Sequence, residues 1–197
     1  MKSILLFCLF LASFPLCADI DRSASSFQMR QVRHHVDRFD FSGSFPNLED
    51  IDIDARKKKR VEFDLSGDYP KLASVNYEGS FGHLKGDLTG KYPLLSSVNI
   101  LCTSCAMQLN LTGEWKQSCQ IAIRGMKEDI VLTLPEDVGL IIHTKTSPSG
   151  KVIAKEGLKK KGWFKIWKKT YHNALAETAP VVLTLDIETT DGKIILN

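Results

Sequence analysis

FDLSGDYPKLASVNY, residues 63–77, recurs three more times in altered form: FDFSGSFPNLEDIDI from Phe39, GDLTGKYPLLSSVNI from Gly86 and LNLTGEWKQSCQIAI from Leu109. Aligned on Gly43, Gly67, Gly90 and Gly113, the copies share further columns. Three residues before each glycine stands Asp40, Asp64, Asp87 or Asn110, and a Ser or Thr immediately precedes it. Two residues after it stands an aromatic, Phe45, Tyr69, Tyr92 or Trp115, followed in the first three copies by Pro46, Pro70 and Pro93. A period of about 23 residues is the signature of a stacked repeat.

Each column has a physical role. Phe63 and Leu65 alternate as one face of a strand, and Gly67 is expected to supply the backbone angles of a tight turn. After the proline, alternation resumes in the pairs Ile51 and Ile53, Val75 and Tyr77, Val98 and Ile100, and Ile121 and Ile123, so a second strand follows. The unit is thus two short strands with two bends, and the carboxylates are turn residues that bond nearby backbone. One such unit cannot bury a face alone, whereas stacked copies bury a continuous core and set equivalent side chains in ladders. The four aromatics should therefore stack. Such a ladder could be a sugar-binding platform, but core packing is the preferred reading.

Downstream of residue 123 the repeat fades and the β character persists, in IVLTLPEDVGLIIHTKT, GKVIAKEGL and VVLTLDIETTDGKIIL. Asp191 and Gly192 read as a hairpin turn, and only Asn173 to Thr178 invites a short helix. The expected fold class is all-β, with stacked strand-turn-strand repeats forming a β-solenoid-like domain. Its divisions are 1–18 as leader, 19–38 as an N-terminal segment and 39–197 as one domain, with clear repeats over 39–123 and divergent strands over 124–197.

The stretches KEDIVLTLPEDVGLIIHT, WFKIWKKTYHNA and LTLDIETTDGKIIL resemble the toast-rack family of envelope domains, which includes the C-terminal domain of LiaF-type regulators of the cell-wall stress response. What the resemblance implies is a stacked-sheet domain with a binding or regulatory role in the envelope and no cofactor. Where LiaF-type proteins carry membrane helices ahead of the domain, this sequence carries a leader.

That leader is Met1 and Lys2, the apolar run ILLFCLFLA, and SFPLCA before the polar DIDRS. It reads as a secretory signal peptide with cleavage after Ala18, because the run is shorter than the roughly 20 residues that cross hydrocarbon. Phe14, Pro15 and Leu16 make a poor setting for lipidation at Cys17. The protein is therefore expected to be exported, to the periplasm or the cell surface. At 197 residues the chain suits one ordinary domain, and its formal charge of +3 conceals basic clusters near 56–60 and 155–169.

Export into an oxidising compartment makes Cys102 and Cys105 a disulfide, since residues three apart in a bend come close enough to bridge. A redox pair would need a helix starting at Cys102, and AMQLNLTGEW reads as strand and turn. Zinc would need further ligands at suitable spacing. Cys119 lies in another column and is left free, available in principle for a bond to another envelope protein. The adjacent His34 and His35 would face opposite sides of a strand. No serine elbow, phosphate loop or zinc-protease motif is present, so no catalytic or metal site is assigned and no enzyme activity is expected.

KEGLKKKGWFKIWKKTY, 155–171, is the most distinctive surface signal, joining seven lysines to Trp163, Phe164, Trp167 and Tyr171. Lysine attracts anionic headgroups or polymers, and tryptophan favours interfaces or sugar rings. The competing reading is a hairpin whose aromatics face the core and whose lysines guard an edge strand. Lys159, Lys160, Lys161, Trp163, Trp167, Lys168 and Lys169 are the predicted surface-binding residues, with an anionic membrane surface or cell-wall polymer as partner. An accessory subunit that binds another envelope protein is the alternative. The Lys57–Arg60 run is placed at a bend as a solvated loop, and export argues against nucleic acid as its partner.

Overall fold

The computed structural model describes residues 16–17, 21–30, 37–57, 59–161 and 168–197, and these are all-β, without a helix. Of residues 1–18, expected as a leader, only Leu16 and Cys17 fall within this set, as the two-residue strand β1 (Leu16–Cys17). The repeats form β2 (Ser26–Arg30), β3 (Asp37–Asp40), β4 (Asp50–Ala55), β5 (Arg60–Asp64), β6 (Ser74–Asp87), β7 (Lys91–Tyr92), β8 (Ser97–Asn110), β9 (Glu114–Trp115), β10 (Cys119–Gly125) and β11 (Ile130–Thr133).

These strands pair in parallel from one copy to the next, so each copy is a coil stacked on its predecessor. On the first side, Ser26, Asp50, Ser74, Ser97 and Gln120 lie in one register column. On the second side, Val61, Leu84, Met107 and Ile130 do the same. Neighbours in the stack are 23 or 24 residues apart, as in the bonds from Asn99 to Asn76 and from Ser74 to Asp50. A third side, absent from the sequence reading, consists of the β7–β9 pair and the parallel bridges from Ser44 to Asp68 and from Asp68 to Lys91. The first-side strand β2 also carries the stack upstream of the first visible repeat.

Alternation decides the core. In β4, Ile51, Ile53 and Ala55 point inward and are buried, whereas Asp50 and Asp52 face water. Stacking repeats this in every coil and fills the interior with aliphatic and aromatic ladders. Phe45, Tyr69, Tyr92 and Trp115 form one of them, with ring centroids 5.8, 5.6 and 5.1 Å apart. All four are buried, which excludes the sugar-platform reading. The Tyr69 hydroxyl donates to the Phe41 carbonyl and that of Tyr92 to the Leu65 carbonyl, while Trp115 Nε1 donates to the Leu111 carbonyl at 2.9 Å. The turn carboxylates behave as the sequence suggests: Asp40, Asp64 and Asp87 accept from the backbone N–H two residues on at 2.9–3.1 Å.

The glycine column works differently. Gly67 has no left-handed backbone conformation; a β-carbon there would lie 2.0 Å from the Gly43 carbonyl oxygen. These glycines let successive coils approach rather than turn the chain, because backbone presses on backbone at this corner.

The C-terminal segment folds out of order. After β11 come β12 (Gly139–Lys145), β13 (Lys151–Ala154), β14 (Lys159–Lys161), β15 (Lys168–His172), β16 (Val182–Glu188) and β17 (Lys193–Leu196). β16 lies between β10 and β12, in parallel with both, and β17 lies likewise between β11 and β13. The last coil therefore slots between two coils made earlier in the chain. Asp191 and Gly192 do not join a hairpin, since the strands flanking them belong to different sides; they form a corner. There Asp191 Oδ1 accepts from the Ser147 and Ser149 hydroxyls at 3.1 and 2.7 Å. The segment expected as a helix, Asn173 to Thr178, is a run of turns, with Thr178 N–H donating to the Leu175 carbonyl at 3.1 Å.

Candidate functional site

The basic cluster is assembled by the edge of β12. β15 pairs antiparallel with β12, and β14 with β15, so a hairpin extends the first side beyond β12. Tyr171 is buried opposite Ile142 and anchors the hairpin to the core. The Thr144 hydroxyl donates to the Lys169 carbonyl at 3.2 Å, and His143 Nδ1 lies 3.1 Å from the Thr170 hydroxyl. Asn173 closes the far end, accepting from the Leu140 N–H at 2.9 Å and donating to the Val138 carbonyl at 2.7 Å.

Lys159, Lys160 and Lys161 are exposed along β14, the terminal strand of this side. Side chains alternate, so Lys159 and Lys161 share the outward face with His172 and Thr170, whereas Lys160 shares the opposite face with Tyr171. Lys168 is exposed and Lys169 half-buried. Trp163 and Trp167, together with the rest of 162–167, lie outside the described residues. β14 and β15 pair as an antiparallel hairpin, and a row of lysines on its outer strand blunts edge-to-edge pairing.

Pairing brings in two groups that sequence distance concealed. Lys145 lies directly beside Lys168, and His143 beside Thr170, so Lys145, Lys159, Lys161 and Lys168 share one outward face. Like charges set opposite each other in a sheet cost stability, and Glu188 offsets part of this by pairing with Lys145. Lys161 approaches Glu177 at 3.7 Å. The alternation in GLIIHTK, residues 139–145, was the available signal for His143 and Lys145.

Towards the other end of the same side, on β4 next to the outer strand β2, lies an acidic row that sequence reasoning left as scattered charge. Asp50 and Asp52 of β4 face outward, with Asp54 near the end of β4 and Glu78 beside it on β6, and Arg56 meets Asp54 at 2.7 Å and Glu78 at 3.8 Å. The Arg56 guanidinium holds the Asp54 carboxyl below its ordinary range.

Cys102 and Cys105 are bridged, with α-carbons 5.6 Å apart, at the corner where β8 passes from the first side to the second. Both are buried, although three residues apart, because the chain bends between them. Gly79 in the coil before provides the space, since a β-carbon there would lie 2.6 Å from Cys102 Sγ. Being bridged, the pair is not available as zinc ligands. Cys119 is a free thiol, but burial in the core pushes its pKa up to about 12, and this removes it from bonding to a partner in the folded state. Two open depressions lie among the described residues, one of about 460 Å³ between Thr112, Glu136 and Lys155, and one of about 300 Å³ by Arg60, His83 and Gln108. Among the described residues no group of three or more His, Cys, Asp or Glu is placed to hold a metal ion.

No protein-family model matches the chain, and no curated protein matches it. Among solved structures, the chain is similar to one from Clostridium sporogenes described as a putative cell adhesion protein, at 20% identity with a TM-score of 0.55. The likeness covers 66% of this chain and 55% of that one, so the chain spans about half the length of its neighbour and shares its fold.

Proposed function

We propose that this is a non-enzymatic exported protein of the cell envelope, a toast-rack-type stack that contacts an anionic surface, lipid headgroup or wall glycan, through its basic end. The observation that carries the reading is the gathering of Lys159, Lys160, Lys161, Lys168 and Lys169 on a hairpin beside Lys145. Like charges concentrated on a rigid, core-anchored element raise local attraction for anions and cost stability, which favours a binding role over a purely structural one. The toast-rack-like stretches coincide with β11–β12 and with β16, its corner and β17, the strands of the out-of-order closure. The buried disulfide suits an oxidising compartment, and the adhesion description of the Clostridium neighbour is compatible with a surface role.

Co-sedimentation with anionic liposomes and with wall fragments tests the reading. Changing Lys159, Lys160 and Lys161 to Glu removes and reverses attractions worth up to about 1 kcal/mol each, so binding should fall at least about tenfold while the melting temperature stays put. Raising salt should mimic the substitution. Equal sedimentation of variant and parent would end the proposal. The alternative, an accessory subunit that binds another envelope protein along a sheet edge, draws on β13, which pairs with β17 on one side and carries Ile153 at 51% exposure.

A further inference from the structure

Among the described residues five large hydrophobic side chains stand exposed, and three of them, Phe81 (44%), Leu101 (45%) and Met126 (43%), belong to one corner of the stack. It is the corner where β6 and β8 pass from the first side to the second and where β10 ends. Leu101 is the last outward residue of β8 on the first side and lies beside Arg124 of β10. Phe81 sits one coil earlier, in register with Ser104, and Met126 one coil later, just past Gly125, which pairs with Cys102. The three are thus carried on successive coils, about 4.8 Å apart along the stack, and within three register positions of one another. Single apolar side chains scattered over a surface need no explanation, but a group gathered on a convex rim does.

The rim is held rigid from behind, because the buried Cys102–Cys105 bridge lies beneath it and the Lys59 carbonyl accepts from the His83 N–H at 2.9 Å. Its flanks are basic. Lys57 and Lys59 are exposed on the coil before Phe81, Arg124 stands beside Leu101, and Lys127 follows Met126. Of the acids nearby, Asp54 and Glu78 pair with Arg56, Glu62 with Arg60, Glu188 with Lys145 and Asp129 with Lys193. That leaves Glu128 and Asp191 to set against the flanking cations. The register also runs on from Leu101 and Arg124 through Glu188 and Lys145 to Lys168, so the corner and the basic hairpin lie along one line of the molecule.

We infer that this corner enters the headgroup region of an anionic bilayer, with Phe81, Leu101 and Met126 reaching the acyl boundary and Lys57, Lys59, Arg124 and Lys127 among the headgroups. Apolar side chains on a convex rim with basic flanks fit a deformable anionic phase. A rigid protein partner would need a pocket for each of them, and a hydrated glycan has no interior to bury them in. The inference rests on the surface-contact reading and commits it to lipid, at a second place besides the hairpin. Binding is weak and reversible, with each side chain withdrawn from water contributing roughly three- to tenfold.

Co-sedimentation with vesicles of phosphatidylcholine alone, and of phosphatidylcholine and phosphatidylglycerol in equal parts, tests the corner. The parent should bind the anionic vesicles more tightly than the neutral ones and keep part of that binding at about 0.5 M salt, where charge attraction is screened out. Changing Phe81, Leu101 and Met126 together to Ser should weaken binding at least about tenfold and remove the salt-resistant part, with the melting temperature unchanged. The companion with Phe81→Leu, Leu101→Met and Met126→Leu should bind like the parent, since it keeps the apolar surface. Changing Lys159, Lys160 and Lys161 to Glu should spare the salt-resistant part, so the two places fail separately. A parent that binds no vesicle, binding that salt abolishes outright, or serine and apolar variants that sediment alike would each overturn the inference. Binding to wall fragments in the absence of vesicle binding would do so while leaving the broader surface-contact reading in place.

Discussion

A β-carbon at position 67 would sit 2.0 Å from the Gly43 carbonyl oxygen, one at position 90 would sit 2.5 Å from that of Gly67, and one at 113 would sit 2.5 Å from that of Leu88. Each contact is backbone, which cannot move aside as a side-chain tip can. At Gly43, the first of the column, the neighbour is instead the flexible Arg22 guanidinium at 3.4 Å. The same substitution should therefore differ by place. Gly67→Ala should cost about 3 kcal/mol through overpacking, whereas Gly43→Ala should be neutral or gain a few tenths of a kcal/mol by restricting the unfolded chain. Urea denaturation of both variants checks this, and equal losses would mean that the column turns the chain after all. The period of these glycines was legible in the sequence. Their reason was not, since a glycine needed for a turn and one needed for close approach look alike until the neighbouring coil is in place.

At the scale of elements, the inserted last coil carries the most. Leu183, Leu185, Ile187, Ile194 and Leu196 are all buried between coils formed earlier. Burying one such side chain is worth about 1.5–3 kcal/mol, so the five together contribute on the order of 10 kcal/mol, as much as a whole domain's net stability. A chain ending at residue 181 should accordingly lose its cooperative thermal transition and aggregate through the exposed edges of β10 and β12. Leu185→Ala in the full chain should remain folded and lose about 2–5 kcal/mol. Circular dichroism melts and size-exclusion elution of the two report the outcome, and a folded, monomeric truncation would show that the coil is dispensable. Repetition announced the coils between 39 and 123, because each pairs with the copy next to it in sequence. The closure could not be read in that way: Lys193 N–H bonds Asp129 across 64 residues, and no local pattern distinguishes a corner at Asp191 and Gly192 from a hairpin. For the same reason the lysines of β14 were visible in the sequence, but their neighbours Lys145 and His143 and the opposing acid row were not.

For the molecule as a whole, the distribution of titratable groups sets an asymmetric response to pH. The carboxyls of Asp40, Asp54 and Asp191 are held below their ordinary range by hydrogen bonds from Ser42, Arg56 and Ser149, but all three stand at the surface, where such bonds are weak. Their stabilisation is present above the ordinary carboxylate range and fades as pH falls through it. The alkaline side depends on buried groups. Burial pushes the Cys119 thiol from 9.0 to about 12 and raises the Tyr69, Tyr77 and Tyr92 phenols above their usual value. Between pH 9 and about 12 the unfolded chain therefore releases a Cys119 proton that the folded chain keeps, so the folded state binds more protons and stability must fall as pH rises. The tyrosines add to the fall from pH 10 upward. Urea midpoints measured from pH 5 to 11 should stay nearly flat to pH 8 and then decline, with Cys119→Ala delaying the onset by about one pH unit, to where the tyrosines begin. The comparison rests on the shape of the curve, not its height, because the alanine variant also loses packing at every pH. A decline that began at the same pH in parent and variant would mean that Cys119 ionises in the folded protein, and hence that the start of β10 opens to water.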